Sequence, residues 1–129
     1  MKKNAFFGLL VIFLVFSLIS CDDDNEKSYF IKYEISGPSL ITSSVVYYKE
    51  NQLYQLFDEV IPWEHTYTIT LKKNYYEHLY CGLHFLKNTP NSSQYTIRIF
   101  VDNKLVITDF IIYNSSIGGF NVDYELWNR

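Results

Sequence analysis

The sequence predicts an all-β protein, an antiparallel β-sandwich of about seven or eight strands that follows a cleaved signal peptide. After residue 28, apolar and polar side chains alternate in short runs, which is the period of half-buried strands. Turn-forming residues separate these runs about every 8 to 15 positions, and no later stretch keeps a helical period. The 12 tyrosines of the chain also suit strands, because aromatic side chains fit a pleated surface.

Most of the predicted strands end at a recognisable turn signal. Glu50-Asn51 separates the second strand from the third, and Asp102-Asn103 has the form of a two-residue hairpin turn. Pro62 interrupts the alternation before the fourth strand. The two-faced pattern favours antiparallel sheets that each have one solvated face. The predicted strands are residues 29–36, 42–49, 52–58, 66–72, 78–86, 95–101, 105–113 and 120–126.

Residues 1–20 have the pattern of a lipoprotein signal peptide. Two lysines open the chain, and residues 5–19 are apolar and uncharged. This stretch is shorter than the about 20 apolar residues of a transmembrane helix and fits the core of a signal peptide, with an uncleaved signal anchor as the alternative. Leu18 to Cys21 resembles the lipobox of bacterial lipoproteins, in which the cysteine receives a diacylglyceryl group and cleavage precedes it. The sequence therefore predicts lipidation at Cys21.

Residues 21–28 are predicted to form an acidic tether. Asp22, Asp23 and Asp24 form a like-charge block that cannot bury itself. As a flexible coil the tether would reach about 15 Å and hold the domain clear of the headgroups. The aspartates resemble a surface-export signal of lipoproteins in the Bacteroidota, whereas an aspartate directly after the cysteine resembles an inner-membrane retention signal in enterobacteria. We expect a lipid-anchored protein of the cell envelope, with the outer membrane or the cell surface favoured over the inner membrane.

Residues 29–129 form the single predicted domain, and its charge excludes one class of partner. Cleavage after residue 20 would leave 109 of the 129 residues and remove two of the 11 basic residues. The remaining 9 basic and 14 acidic side chains would give a net charge near −5. No basic stripe follows the chain, so nucleic acid is not expected as a partner.

The sequence contains no recognisable catalytic, metal or cofactor site. Once Cys21 is lipidated, Cys81 is the one remaining thiol, either a buried core residue, which we expect, or a reactive group. His65, His78 and His84 form no compact pair of metal ligands, and the last two would lie about 20 Å apart along a strand. Nucleophile motifs and phosphate-binding glycine loops are absent from the sequence. We therefore expect a protein that is not an enzyme and needs no cofactor.

Four short motifs occur in an order that resembles a known family. They are residues 31–37 (IKYEISG), 45–51 (VVYYKEN), 61–64 (IPWE) and 97–106 (IRIFVDNKLV). This order is similar to that of the extracytoplasmic domain of the mycobacterial small membrane proteins (MmpS) and related bacterial lipoproteins. The resemblance implies an immunoglobulin-like β-sandwich and, in mycobacteria, a role beside lipid and siderophore exporters. Asn103 stands where the family has glycine, and a lipid replaces the transmembrane helix, so the transporter partnership does not transfer directly. We expect Trp63 to plug the core.

Aromatic side chains outside the predicted core faces are the remaining functional signal. The chain has more tyrosines than so small a sandwich can bury, and exposed aromatic residues mark contact surfaces for proteins or sugar rings. The alternative is that they are edge-strand tyrosines with hydrated hydroxyl groups. The candidate contact residues are Tyr54, Tyr75, Tyr76, Tyr80 and Tyr113.

These features predict a membrane-anchored, non-catalytic envelope lipoprotein that is a binding or accessory module for a protein partner, such as a transport complex. A surface carbohydrate-binding lipoprotein is the alternative, in which the surplus tyrosines stack on sugar rings. A third hypothesis is a minimal hydrolase or metal carrier that uses His78, Cys81 or His84. The membrane is an expected partner through the lipid anchor.

Overall fold

The computed structural model describes residues 25–129, which form two antiparallel sheets packed around one core. This part of the chain has eight strands and no helix, so the predicted antiparallel β-sandwich is confirmed. The strands are β1 (Glu26–Ile41), β2 (Ser44–Lys49), β3 (Gln52–Phe57), β4 (Val60–Lys72), β5 (Tyr76–His84), β6 (Gln94–Val101), β7 (Lys104–Ile112) and β8 (Gly119–Trp127).

Each sheet contains four strands. The first sheet has the order β4-β1-β6-β7, and the second has the order β3-β2-β5-β8. All neighbouring strands are antiparallel, and the chain passes from one sheet to the other at five of its seven connections. Immunoglobulin-like sandwiches share this two-sheet architecture and vary in their strand order.

The two ends of the sandwich hold different parts of the chain. β1 starts beside the end of β4, with Glu26 opposite Lys72, and β5 starts beside the end of β8. This end is termed the tether end, because the predicted tether leads into it. The opposite or distal end includes the pair Ile41 and Val60. The two ends lie about 30 Å or more apart, since a strand rises about 3.3 Å per residue.

β1 begins three residues earlier and ends five residues later than the sequence predicts. Residues 26–28, which the prediction places in the tether, pair with the last residues of β4. The backbone N–H of Lys73 also donates to the carbonyl of Asn25. Charge alone does not keep a segment out of a sheet when a neighbouring strand offers backbone hydrogen-bond partners. The segment between Cys21 and the first strand is therefore shorter than the predicted tether of residues 21–28.

Two hairpin turns have the geometry that their residues predict. Asp102 and Asn103 have φ angles of 49° and 63°, and Glu50 and Asn51 have φ angles of 54° and 56°. Two successive positive φ angles are typical of the type I′ turn, whose twist matches that of the flanking strands. Asparagine enters this conformation readily, which explains why the turn forms without glycine.

Pro62 does not interrupt the fourth strand, contrary to the prediction. β4 runs from Val60 to Lys72, and the Ile61–Pro62 peptide bond is cis. The strand tolerates proline because β4 lies at the edge of its sheet, where one side of the strand needs no ladder hydrogen bonds. Trp63 is half-buried and packs against the core, as expected of a plug.

Alternate residues of the central strands form the core between the two sheets. Tyr33 and Tyr95 are its largest fully buried side chains. The Tyr33 hydroxyl donates to the carbonyl of Tyr48 at 2.6 Å and lies 3.1 Å from the Tyr67 hydroxyl, so its polar atom is satisfied inside the sandwich. The fully buried aliphatic residues are Ile31, Ile35, Val45, Ile61, Leu79, Leu83, Ile97 and Ile99.

Candidate binding surfaces

The five predicted contact tyrosines lie in four separate places. Tyr75 and Tyr76 are exposed at the tether end, and Tyr54 is exposed on the edge strand β3. Tyr80 is half-buried on the outer face of the second sheet, and Tyr113 is buried. The structure therefore brings together one pair of them, Tyr75 and Tyr76, which line the same groove.

This groove lies at the tether end and has a volume of about 490 Å³. The last residues of β4, the β2–β3 turn and the start of β5 form its walls, and Thr68 and Thr70 contribute to the lining. Tyr76 stacks on Trp127 of β8, with ring centroids 4.7 Å apart. Tyr75 is 63% exposed. The groove thus combines flat aromatic side chains with polar groups.

A buried carboxylate also lines the groove. Glu77 is 1% exposed, and its Oε1 accepts a hydrogen bond of 2.9 Å from the backbone N–H of Asn51. Burial raises the pKa of Glu77 above its usual value, hydrogen bonds from the turn oppose the rise, and the charge of Glu50 adds to it. Glu77 therefore fixes the β2–β3 turn, which is one wall of the groove.

Asn128 fastens the tether end from the other side. Its buried side chain donates through Nδ2 to the carbonyl of Leu71 at 2.8 Å and to that of Asn25 at 3.4 Å. Its Oδ1 accepts a hydrogen bond of 3.4 Å from the Tyr29 hydroxyl, and its backbone N–H donates to the carbonyl of Tyr75. One side chain thus joins the first residues of the domain to β4 and fixes the point at which the chain enters the sandwich.

The layer of the sandwich nearest the tether is basic. Lys27, Lys72, Lys73 and Arg129 are all exposed there, and none of them forms an ion pair within the described part of the chain. Among residues 25–27, 71–76 and 127–129, Glu26 has the one side-chain carboxylate, but Glu50 and Glu77 line the adjoining groove and Glu125 accepts a hydrogen bond from the Trp127 indole. The layer is termed the tether rim and comprises residues 25–27, 71–76 and 127–129.

Tyr54 belongs to an aromatic cluster between the edge strands β3 and β4. It stacks on Tyr47, whose ring centroid is 4.6 Å from that of His65. His65 also packs against Trp63 and Tyr67, and its buried Nε2 has no hydrogen-bond partner in residues 25–129. Burial lowers the pKa of His65, and a nearby lysine lowers it further. The neutral imidazole therefore packs as an aromatic ring that closes this side of the sandwich.

Tyr80 packs in a smaller cluster on the outer face of the second sheet. Its ring centroid is 5.3 Å from that of Tyr48, and the ring covers Gly82, where a Cβ atom would come within 3.1 Å of the hydroxyl. His78 packs edge-on against Tyr48, and its Nε2 lies 3.6 Å from a carboxylate oxygen of Asp123. These contacts make Tyr80 a cross-strand packing residue rather than a freely exposed platform.

Tyr113 is not on a contact surface, and its prediction as a contact residue is wrong. It is 2% exposed, its ring centroid is 4.7 Å from that of Phe85, and its hydroxyl lies 3.4 Å from the carbonyl of Leu86. The backbone of Tyr113 also exchanges hydrogen bonds with the loop before β6, at Ser92 and Ser93. Loops at the distal end bury the Tyr113 side chain. The alternation of polar and apolar residues along a strand does not show whether a loop will pack over one of its side chains.

The residues of the hydrolase hypothesis are not brought together. Cys81 is fully buried and faces the core, and burial raises the pKa of its thiol, which disfavours the nucleophilic thiolate. His84 lies on the opposite face of β5 from Cys81 and places its Nδ1 2.9 Å from the Oγ of Ser44, to which Gln55 also donates. Within residues 25–129, no group of three or more His, Cys, Asp or Glu side chains could hold a metal ion.

Large apolar side chains are exposed at the distal end, and three of them lie around the connection between β3 and β4. Ile41, Phe57 and Val60 are 55%, 65% and 53% exposed. Ile41 and Val60 are cross-strand partners, and Phe57 ends β3 three residues before Val60. These three residues are termed the distal tip. Neighbouring apolar side chains that a fold leaves in water are typical of protein contact surfaces.

No protein-family model and no curated protein matches the chain. The resemblance to the MmpS family therefore stays a prediction that depends on the four sequence motifs. Residues 25–129 contain no helix long and apolar enough to cross a membrane. The predicted lipidation site Cys21 and the predicted sorting residues Asp22, Asp23 and Asp24 lie outside the described residues.

Proposed function

We propose that the chain is a lipid-anchored, non-catalytic lipoprotein of the cell envelope that binds a protein partner through its distal tip. The anchor depends on the signal peptide and on the lipobox that ends at Cys21. The exposed apolar side chains of the distal tip carry the binding role. The resemblance to MmpS makes a component of a transport complex a candidate partner, and the aspartates after Cys21 favour the outer membrane or the cell surface.

The position of the distal tip supports this role. The lipid-linked segment enters at the opposite end of the sandwich, about 30 Å away along β1 and β4. A protein in the surrounding compartment can therefore reach the tip without meeting the headgroups. Burying a large apolar side chain that was in water contributes about 1.5–3 kcal/mol, so contact at Phe57 and Val60 would stabilise a complex.

Site-specific photocrosslinking in the native host tests the proposal. A photoreactive phenylalanine analogue in place of Phe57 of the full-length chain should give one discrete crosslinked envelope protein, to be identified by mass spectrometry. The same probe at Thr108, which is exposed on β7, is the matched control and should not give this product. The double variant F57S/V60T, with the probe moved to Ile41, should lose the product while it still reaches the membrane.

Two results would contradict the proposal in different ways. If probes at Phe57 and Thr108 give the same products, or neither gives one, the distal tip is not a specific binding surface. If the wild-type chain and the C21A variant both stay in the aqueous phase when a detergent solution is separated into two phases, the lipid anchor is wrong.

Carbohydrate binding is a second candidate, and the groove at the tether end favours it. Tyr75 and the stacked pair of Tyr76 and Trp127 offer aromatic faces on which sugar rings pack, and polar side chains line the same groove. A glycan array followed by calorimetric titration tests this function. Y75A should weaken the binding of a glycan found on the array, whereas Y80A should leave it unchanged. A broad array without any bound glycan would remove this candidate.

A further inference from the structure

We infer that the tether end of the sandwich rests on the membrane surface, with Tyr75, Tyr76 and Trp127 at the lipid headgroups and the cations of the tether rim against lipid phosphates. The inference rests on the proposed lipid anchor and adds an orientation to it. The domain would then stand upright on the membrane and present its distal tip to the surrounding compartment.

The length of chain between lipid and domain limits how far the domain can stand from the membrane. The carbonyl of Asn25 is fixed by hydrogen bonds from the backbone of Lys73 and the side chain of Asn128. Asn25 follows Cys21 by four positions, and an extended chain spans at most about 3.5 Å per residue, or about 14 Å in all. The headgroup layer is itself about 5–7 Å thick. The tether rim therefore stands no more than about 10 Å above the headgroups.

The side chains exposed at this end suit a membrane interface. Tyrosine and tryptophan accumulate at the headgroup level, because one part of each ring is apolar and another forms hydrogen bonds. Tyr75 is 63% exposed, and Tyr76 and Trp127 are 46% and 40% exposed although they stack on each other. The distal tip differs in kind, since its three exposed side chains are isoleucine, phenylalanine and valine, which have no polar group.

Charge complementarity favours the same orientation. The tether rim carries the cations of Lys27, Lys72, Lys73 and Arg129 and the carboxylate of Glu26. Glu50 is exposed in the adjoining groove and Glu125 accepts a hydrogen bond from the Trp127 indole, so the excess of positive charge at this end is small. Each cation near an anionic membrane surface strengthens binding roughly fivefold. The aspartates of the intervening segment have the opposite charge and oppose docking, so the attraction comes from the cations of the rim.

The two tryptophans of the chain allow a direct test of this orientation. Trp127 lies at the tether end, whereas Trp63 lies nine residues before the end of β4, about 30 Å away. The full-length lipidated protein is reconstituted as W63F or W127F in vesicles of phosphatidylethanolamine and phosphatidylglycerol that contain a lipid with a nitroxide on its headgroup. Each variant retains one tryptophan, whose quenching reports its proximity to the headgroups. We expect strong quenching of Trp127 and little quenching of Trp63.

Lysine variants separate docking from anchoring. In the W63F background, K27Q/K72Q/K73Q should lower the ratio of docked to undocked protein about fivefold for each cation removed, while the protein stays in the vesicles. Salt at about 1 M should act in the same direction, because it shortens the screening length to about 3 Å. Lys87 is exposed in the distal loop between β5 and β6, so K87Q is the matched control and should leave the quenching unchanged.

Three outcomes would overturn the inference. Equal and weak quenching of Trp63 and Trp127 in a vesicle-bound protein would exclude docking and leave the lipid anchor intact. A wild-type chain that stays in solution as C21A does would refute the anchor and the docking together. If vesicle-bound and detergent-solubilised protein bind a soluble oligosaccharide equally well, and Y75A abolishes both, the groove is open and the tether end is not on the membrane.

Discussion

Replacing Asn128 by alanine would loosen the tether end of the sandwich. The variant N128A removes the side-chain hydrogen bonds to the carbonyls of Leu71 and Asn25 and the one from the Tyr29 hydroxyl. The strand β8 itself would persist, because its backbone pairs with β5 as far as Trp127. The perturbation therefore acts on the junction of the first and last residues of the domain.

The expected loss follows from the three distances. The bond to the Leu71 carbonyl is 2.8 Å long and buried, whereas the other two are 3.4 Å long and weak. A good hydrogen bond contributes about 1 kcal/mol, and a buried carbonyl left without a partner adds a desolvation cost of about 1 kcal/mol or more. We expect the free energy of unfolding to fall by about 2 kcal/mol, which lowers the melting temperature of a domain of this size by about 10 °C.

Urea denaturation of a chain that begins at Asp22, followed by tryptophan fluorescence, measures this loss. Asn121 is exposed on the same strand and forms no side-chain hydrogen bond within residues 25–129, so N121A is the control and should stay within about 0.5 kcal/mol of wild type. If N128A and N121A unfold at the same urea concentration, the Asn128 network does not hold the tether end.

Four further substitutions test the pH dependence, the core and a turn. The pKa of His65 is lowered in the folded chain, so as the pH falls the unfolded chain binds a proton at a higher pH than the folded chain does. The free energy of unfolding therefore decreases below about pH 6.5. In H65F, the urea concentration at the midpoint of unfolding should no longer show this decrease. The raised pKa of Glu77 acts in the opposite sense, because stability is lost as the pH rises above about 4.5. The free energy of unfolding of E77Q should therefore exceed that of wild type at pH 7 but not at pH 4. An equal difference between the two proteins at both pH values would contradict this. The Cys81 thiol should react with a maleimide only after the chain unfolds, and fast labelling of the native chain would refute its burial. The variant C81S should lower the free energy of unfolding by about 1–3 kcal/mol, because it buries a hydroxyl group. N103G should stabilise the β6–β7 hairpin by about 0.5 kcal/mol, because glycine has no steric cost at the φ of 63°, and a lower melting temperature would contradict the turn assignment.

Local sequence predicted most of the fold because both sheets have one core face and one solvated face. Alternation identified all eight strands, and Asp102-Asn103 identified a hairpin turn that the backbone angles bear out. The main boundary errors were the two ends of β1 and the passage of β4 through Pro62. They are decided by which strand lies alongside, since Glu26 and Ile41 have partners in Lys72 and Val60 and proline is tolerated at a sheet edge.

The candidate surfaces were harder to predict, because they depend on contacts between distant parts of the chain. The exposure of Tyr75 and Tyr76 was foreseen from the surplus of tyrosines, but the burial of Tyr113 depends on loops that fold over the distal end. The role of Asn128 could not be predicted from the sequence pattern, because its hydrogen-bond partners lie more than 50 positions away. The pairing of Ser44 with His84 was missed for the same reason, since 40 positions separate them.

Fatty-acid labelling at Cys21 tests the central claim, the lipid anchor, most directly. Cells of a lipoprotein-processing bacterium that express the full-length chain are fed an alkyne-tagged fatty acid, and the protein is isolated and analysed by mass spectrometry. The wild-type chain should carry the label on an N-terminal peptide that begins at Cys21, and C21A should carry none. An unlabelled wild-type chain, or one whose N-terminus lies elsewhere, would contradict the lipid anchor on which the proposed function and the orientation on the membrane both depend.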